Sequence, residues 1–177
     1  RNQIGSVWSF GNTSYSPSIV MPARTIAPGS LVILVGRFEE GEPAVSVSDT
    51  SGATWQVQTQ SNTNIHTFIA WSFGHPGQVD NVITVSFAAS KPYRSASAIE
   101  LDGPDSADPA QVAGIVKSSA ALNHSMAVSA PCDVFAIQGS FSTSTITPVA
   151  PATALSVTSS VLHLFSTIRD ASSSPVT

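Results

Sequence analysis

The chain is poor in charge, in cysteine and in long apolar runs, and each shortage closes off a class of function. Charged residues fill only 10% of its positions, against roughly 25% in an average soluble domain. Its seven Lys and Arg residues are scattered singly and its net charge is -4. No basic stripe exists to neutralise phosphates, so nucleic acid is not an expected partner. No apolar run approaches the roughly 18 residues of a membrane-spanning helix, so no membrane is expected either. The longest run, Leu31-Val-Ile-Leu-Val35, has the length of a strand. A single cysteine, Cys132, excludes an internal disulfide. Beside Val134 and Phe135 it reads as a small buried residue. No signal peptide is visible and the chain starts at Arg1, so a processed chain or a fragment is the expectation.

Apolar residues make up 42% of the 177 positions, enough for the core of one domain of ordinary size, here expected to span residues 1–177. Serine and threonine fill the place of the missing charges, at about a quarter of the chain. The expected surface is neutral and rich in hydroxyls.

No stretch keeps a helical period. Short alternating segments rich in Val, Ile, Thr and Phe recur instead, bounded by Gly, Pro, Asn and Asp. They place strands near 5–10, 18–21, 30–38, 45–48, 55–60, 66–73, 82–87, 94–101, 111–116, 126–128, 133–139, 155–159, 162–167 and 175–177. In His66–Phe73 both faces carry apolar groups, as in a strand covered on both sides or at a subunit contact. In Val82–Phe87, Ile83, Val85 and Phe87 share one face, and the other is mostly polar. Pro28-Gly29 reads as a type II turn that delivers the strand at Leu31. Ser140–Thr153, rich in Ser, Thr and Pro, reads as an extended loop or arm. The fold class expected is all-β: an antiparallel β-sandwich, jelly-roll-like, with few or no helices.

Asp49-Thr-Ser-Gly-Ala-Thr-Trp55 poses a sharper question, because an acid, three hydroxyls and a tryptophan lie together. A calcium loop needs several oxygen ligands at set intervals, and only Asp49 here is charged. Asp49 bonding its own backbone and Gly52 at positive φ suffice for a hairpin loop between two strands, and that is the reading taken.

Five segments, in order, carry a resemblance: Pro28-Gly-Ser-Leu-Val-Ile-Leu-Val35, Val47-Ser-Asp-Thr-Ser-Gly-Ala-Thr-Trp55, Phe68-Ile-Ala-Trp-Ser-Phe73, Val82-Ile-Thr-Val-Ser-Phe87 and Ser97-Ala-Ile-Glu-Leu-Asp-Gly103. Together they resemble a family of β-sandwich modules found in bacteriophage virion proteins and in bacterial surface or secreted proteins. That family's pattern is a G-D-L strand entry, a D-x-x-G-N-x-W hairpin, an aromatic strand and an E-x-x-G strand end. Ser30 stands where the acid is usual, and Ala53 where the Asn is usual. The resemblance covers about Ala27 to Gly103 and implies a non-catalytic display, decoration or adhesion module.

Other candidate chemistry is thin. Glu100, Asp102, Asp105 and Asp108 crowd one segment, but Gly103, Pro104 and Pro109 mark it as a turn, with calcium the lesser reading. Glu39, Glu40 and Glu42 share a loop, and a glycosidase would need two carboxyls facing across a cleft. The histidines at 66, 75, 124 and 163 show no metal-pair spacing. Neither a G-x-S-x-G elbow nor a phosphate-cradling glycine loop occurs. Trp71 reads as core. Trp8 and Trp55 are the candidate ligand or partner contacts.

Three classes of function follow. The first expectation is a non-enzymatic virion protein, a capsid decoration (cement) or tail or fibre module, with capsid or tail proteins as partners and a homo-oligomeric assembly. The alternative is a carbohydrate-binding or adhesive module at a bacterial cell surface or outside the cell, for which a glycan is the partner. A hydrolase comes third. No cofactor and no metal are expected.

Overall fold

The computed structural model describes residues 4–12, 14–39, 44–61, 65–92, 94–103, 132–139, 153–157 and 163–171. The chain groups into two compact units, Arg1–Ala110 and Gln111–Thr177. In the first unit the strands are β1 (Trp8–Asn12), β2 (Ser16–Val20), β3 (Arg24–Ile26), β4 (Leu31–Glu39), β5 (Val45–Asp49), β6 (Gln56–Ser61), β7 (Ile65–Ser72), β8 (Gln78–Asn81), β9 (Ile83–Lys91) and β10 (Arg94–Leu101). In the second they are β11 (Cys132–Gly139), β12 (Thr153–Val157) and β13 (His163–Ala171), with β13 central in an antiparallel sheet.

Every described pairing is antiparallel and no helix occurs among the described residues. The first unit is a β-sandwich. Its larger sheet has the order β1-β10-β4-β7-β6, and its smaller sheet β2-β9-β5. A short ribbon, β3-β8, completes it. The chain passes from sheet to sheet at nearly every connection, as in a jelly roll.

Alternation explains which groups meet inside. Val32, Leu34 and Phe38 of β4, Phe68 and Ala70 of β7, and Ala96 and Ala98 of β10 face Ile83, Val85 and Phe87 of β9 in one buried cluster. The Phe38 and Phe87 rings stand 5.4 Å apart, and those of Phe68 and Phe87 6.2 Å apart. Each such ring stabilises the fold by roughly 1.5–3 kcal/mol through burial. Gly36 leaves no room for a side chain: a Cβ there would collide with the Phe68 ring and the Ser95 carbonyl. The opposite face of the large sheet is buried too, at Ile33, Val35, Trp71 and Ile99. β7 is thus covered on both faces, as its two apolar faces require.

The hairpin reading of Asp49–Trp55 is corrected by the pairing. β5 pairs with β9 in the small sheet, whereas β6 pairs with β7 in the large one. The segment is an arch from one sheet to the other. Alternation on both sides of a loop is common to a hairpin and to an arch, so the strand pattern does not separate them. β3 and β8 had no place among the expected strands; they are short, and β8 is bent at Asp80, which has φ 53°. The strands expected at 111–116, 126–128 and 175–177, the arm expected at 140–153 apart from Thr153, and most of the Asp102–Asp108 segment lie outside the described residues.

Candidate functional site

The arch is organised by one carboxylate. Asp49 ends β5, and its Oδ1 accepts from the Ser51 amide at 3.0 Å, the Ser51 hydroxyl at 2.7 Å and the Ala53 amide at 3.1 Å. Gly52 follows with φ 74°, the conformation that lets the arch turn back under the carboxylate. Oδ2 accepts from the Trp55 indole N–H at 3.2 Å and from His75 Nε2 at 2.8 Å. Five donors thus converge on one side chain, and Asp49 and His75 both have no exposed side-chain surface. Burial on its own raises the Asp49 pKa, but the hydrogen bonds from Ser51, His75 and Ala53 outweigh it and hold the carboxyl below its usual range.

His75 arrives from the β7–β8 connection, Gly74-His75-Pro76-Gly77. Its Nδ1 accepts from the Gly77 amide at 3.0 Å, which leaves the ring proton on Nε2, facing Asp49. Its backbone is pinned as well. The His75 amide donates to the Ser30 carbonyl at 3.0 Å, and the Gly29 amide donates to the His75 carbonyl at 2.8 Å. The Asp49 arch is therefore tied through His75 to the Pro28-Gly29 turn. That turn has Gly29 at φ 80°, as the third position of a type II turn requires.

A second carboxylate holds the same turn from the other side. Glu100, buried near the end of β10, accepts from the Ala27 amide at 2.7 Å. Gly103 packs so closely on the turn that a Cβ would collide with the Gly29 carbonyl. The D-x-x-G-x-x-W and E-x-x-G segments are two clamps on one turn, at one end of the sandwich.

Asp49, His75 and Ser51 invite comparison with a nucleophilic triad, and the geometry answers it. A triad needs the carboxylate on one imidazole nitrogen and the hydroxyl on the other. Here Ser51 Oγ, 3.4 Å from His75, and Asp49 share Nε2, and Nδ1 is taken by Gly77. The Ser51 hydroxyl donates to Asp49, so neither ring nitrogen is left to receive its proton. The arrangement positions backbone.

Trp8 is 8% exposed, in the core cluster, with the Arg24 guanidinium 4.7 Å from its ring centroid. Trp55 is half-buried, packs on the core and meets His75 edge-on at 6.5 Å. The two do not come together on one surface: Trp8 lies on β1 at one edge of the large sheet, and Trp55 precedes β6 at the other. The large exposed apolar side chains among the described residues are Phe10, Tyr15, Val20 and Val79. Of the four acids crowded between residues 100 and 108, Asp102 is half-buried, Glu100 is engaged with Ala27, and Asp105 and Asp108 lie outside the described residues. No cluster of three or more metal-binding side chains occurs among the described residues.

Sequence reasoning passed over His75 as the partner of Asp49, 26 positions away. Its signal was slight: a histidine set in Gly-His-Pro-Gly, where a loop needs no aromatic side chain. No known protein family, curated protein or solved structure matches this chain.

Proposed function

We propose that the chain is a non-enzymatic structural protein of a virion, a capsid decoration (cement) or a tail or fibre module that acts through contacts with other virion proteins. One observation carries the reading. The motif residues that drew attention as chemistry, Asp49, Ser51, Trp55, His75 and Glu100, are engaged in hydrogen bonds that hold one end of a sandwich together. What the module then offers a partner is its outer skin. On the small sheet that skin is Ser18, Val20, Ser46, Ser48, Thr84, Ser86 and Ala88, uncharged and mostly small. Such a surface favours broad, flat protein contact over steering of a charged ligand. The resemblance over Ala27–Gly103 points the same way, to display and decoration.

The alternative, an adhesive or carbohydrate-binding module of a bacterial surface protein, draws on the half-buried Trp55 ring and on Tyr15, which is 74% exposed. Fractionation of the native source separates the two. Copurification with assembled particles at fixed stoichiometry is expected. Recovery with cell envelopes instead, together with glycan-array binding lost in Trp55→Ala or Tyr15→Ala, would overturn the virion reading in favour of adhesion.

A further inference from the structure

The edge strands of the first unit differ in character: β2 of the small sheet is interrupted, β6 of the large sheet is not, and β1, at the large sheet's other edge, is uncharged but carries Gly11 within the strand. On one side, β1 lies beside β2; on the other, β5 lies beside β6. β2 carries Pro17 in mid-strand, and its register with β9 shifts between Ser16 and Ser18. The Arg94 guanidinium donates to the Ser16 carbonyl. Prolines, bulges and cations are the devices by which a sheet edge resists pairing with another chain.

β6 has none of them. Its sequence, Gln56-Val-Gln-Thr-Gln-Ser61, holds no proline, no glycine and no charge. Its register with β7 runs without a shift from Gln56 to Ser61. It ends the five-stranded sheet, and among the described residues no strand pairs with its outer edge. Gln56 and Gln58 are exposed, while Val57 and Thr59 are half-buried on the core side.

We propose that this edge is a self-association surface: β6 of a second copy adds to it antiparallel across a two-fold axis, continuing the large sheet from five strands to ten. Charge selects the occupant. In a two-fold pairing every residue meets itself or its symmetry mate, so any charge on the strand would face its own sign. β6 brings none, and its glutamines both donate and accept. The side-chain period narrows the register. The axis must lie midway between the two copies of one residue, because pairing that residue's neighbour with it instead would set core-side positions against solvent-side ones. With the axis at Gln58, Gln58 meets Gln58 of the copy, Val57 meets Thr59, and Gln56 meets Gln60. The inference goes beyond the functional reading, and each can fail alone.

Sedimentation of the full chain from low micromolar to several hundred micromolar tests it. The expected result is a concentration-dependent species of twice the chain mass. Gln58→Lys, a change at an exposed side chain that leaves the thermal melt in place, is expected to weaken self-association about tenfold or more by setting two ammonium groups face to face. Gln58→Glu does the same alone, and an equimolar mixture of the two variants regains the dimer as a heterodimer. A wild-type chain that stays monomeric throughout, variants that dimerise as wild type does, or a mixture that stays monomeric would each overturn the proposal. Particle copurification of the Gln58→Lys chain is scored separately, so loss of the dimer and loss of the virion contact are told apart.

Discussion

Asp49 ends β5 and pairs with Ile83 of β9; Asn81 lies two residues before Ile83, at the end of β8. Both are buried polar side chains at the same end of the small sheet. Asp49 takes five hydrogen bonds, whereas neither amide atom of Asn81 has a partner among the described residues. A buried polar group stabilises only through the partners that replace its water. Asp49 therefore acts as a strut between two sheets, and Asn81 as a cost the fold carries within a few residues of it. Substitution at each should move stability in opposite directions.

Asp49→Ala has the largest expected effect. It strands the Trp55 indole N–H, the His75 Nε2–H and two arch amides in a buried site. A loss of about 3–5 kcal/mol is expected, read by urea unfolding followed through tryptophan fluorescence. Asp49→Asn should lose less, since an amide oxygen still accepts while its NH2 faces the remaining donors. An Asp49→Ala chain as stable as wild type would show that the arch holds without its carboxylate.

Acid should act on the same strut more gently. The Asp49 carboxyl sits below its usual range when folded and returns to that range on unfolding. The folded state thus favours the ionised form. The resulting stability is complete above the unfolded value, about pH 4, and is lost as pH falls through the lower folded value. Urea midpoints measured from about pH 6 down to about pH 2 should fall over that window. In Asp49→Asn that part of the slope should be absent, and an unchanged slope would assign it to other carboxyls.

Glu100 holds the Pro28-Gly29 turn from the β10 side through one charge-assisted bond, so its removal should cost less than that of Asp49. Glu100→Ala is expected to lose about 1.5–3 kcal/mol, and Glu100→Gln less, because the amide oxygen can still accept from Ala27. Equal losses in the two variants would place the role of Glu100 in its charge rather than in this bond.

Apart from β3 and β8, the strands of the sandwich were legible because β-sheet alternation is local. Ile83, Val85 and Phe87 on one face, and Phe68 and Ala70 on one face of their strand, could be read from a period of two. The turn at Pro28-Gly29 was legible for the same reason: its conformation is set by the residues that make it. What escaped was pairing between sheets. Val45–Asp49 and Gln56–Ser61 alternate in the same way whether they face each other in a hairpin or belong to opposite layers. The partner of Asp49 escaped likewise, since His75 reaches it only when two loops fold over one end. Motif residues with the look of chemistry, an acid beside serine and tryptophan, are equally the residues needed to satisfy a buried arch. Distinguishing these uses takes the position of the second imidazole nitrogen, which no spacing in the sequence reports.

Asn81→Leu has the smallest expected effect and tests the comparison most directly. Leucine branches where asparagine does, so the side chain keeps its outline while both amide atoms are replaced by methyls. Two desolvated polar groups without partners disappear, and no donor or acceptor elsewhere is stranded, because none among the described residues bonds to them. Replacing a buried unpaired polar group by an apolar one of like shape is neutral to stabilising, so a gain of up to about 1 kcal/mol is expected in the same urea experiment. The neighbouring strut should be untouched, which Asp49→Ala in the Asn81→Leu background can verify: the two changes should add to within about 0.5 kcal/mol if the sites do not share partners. A clear loss on Asn81→Leu would mean that this amide is held by contacts other than the hydrogen bonds of its neighbours, and the contrast with Asp49 would fall.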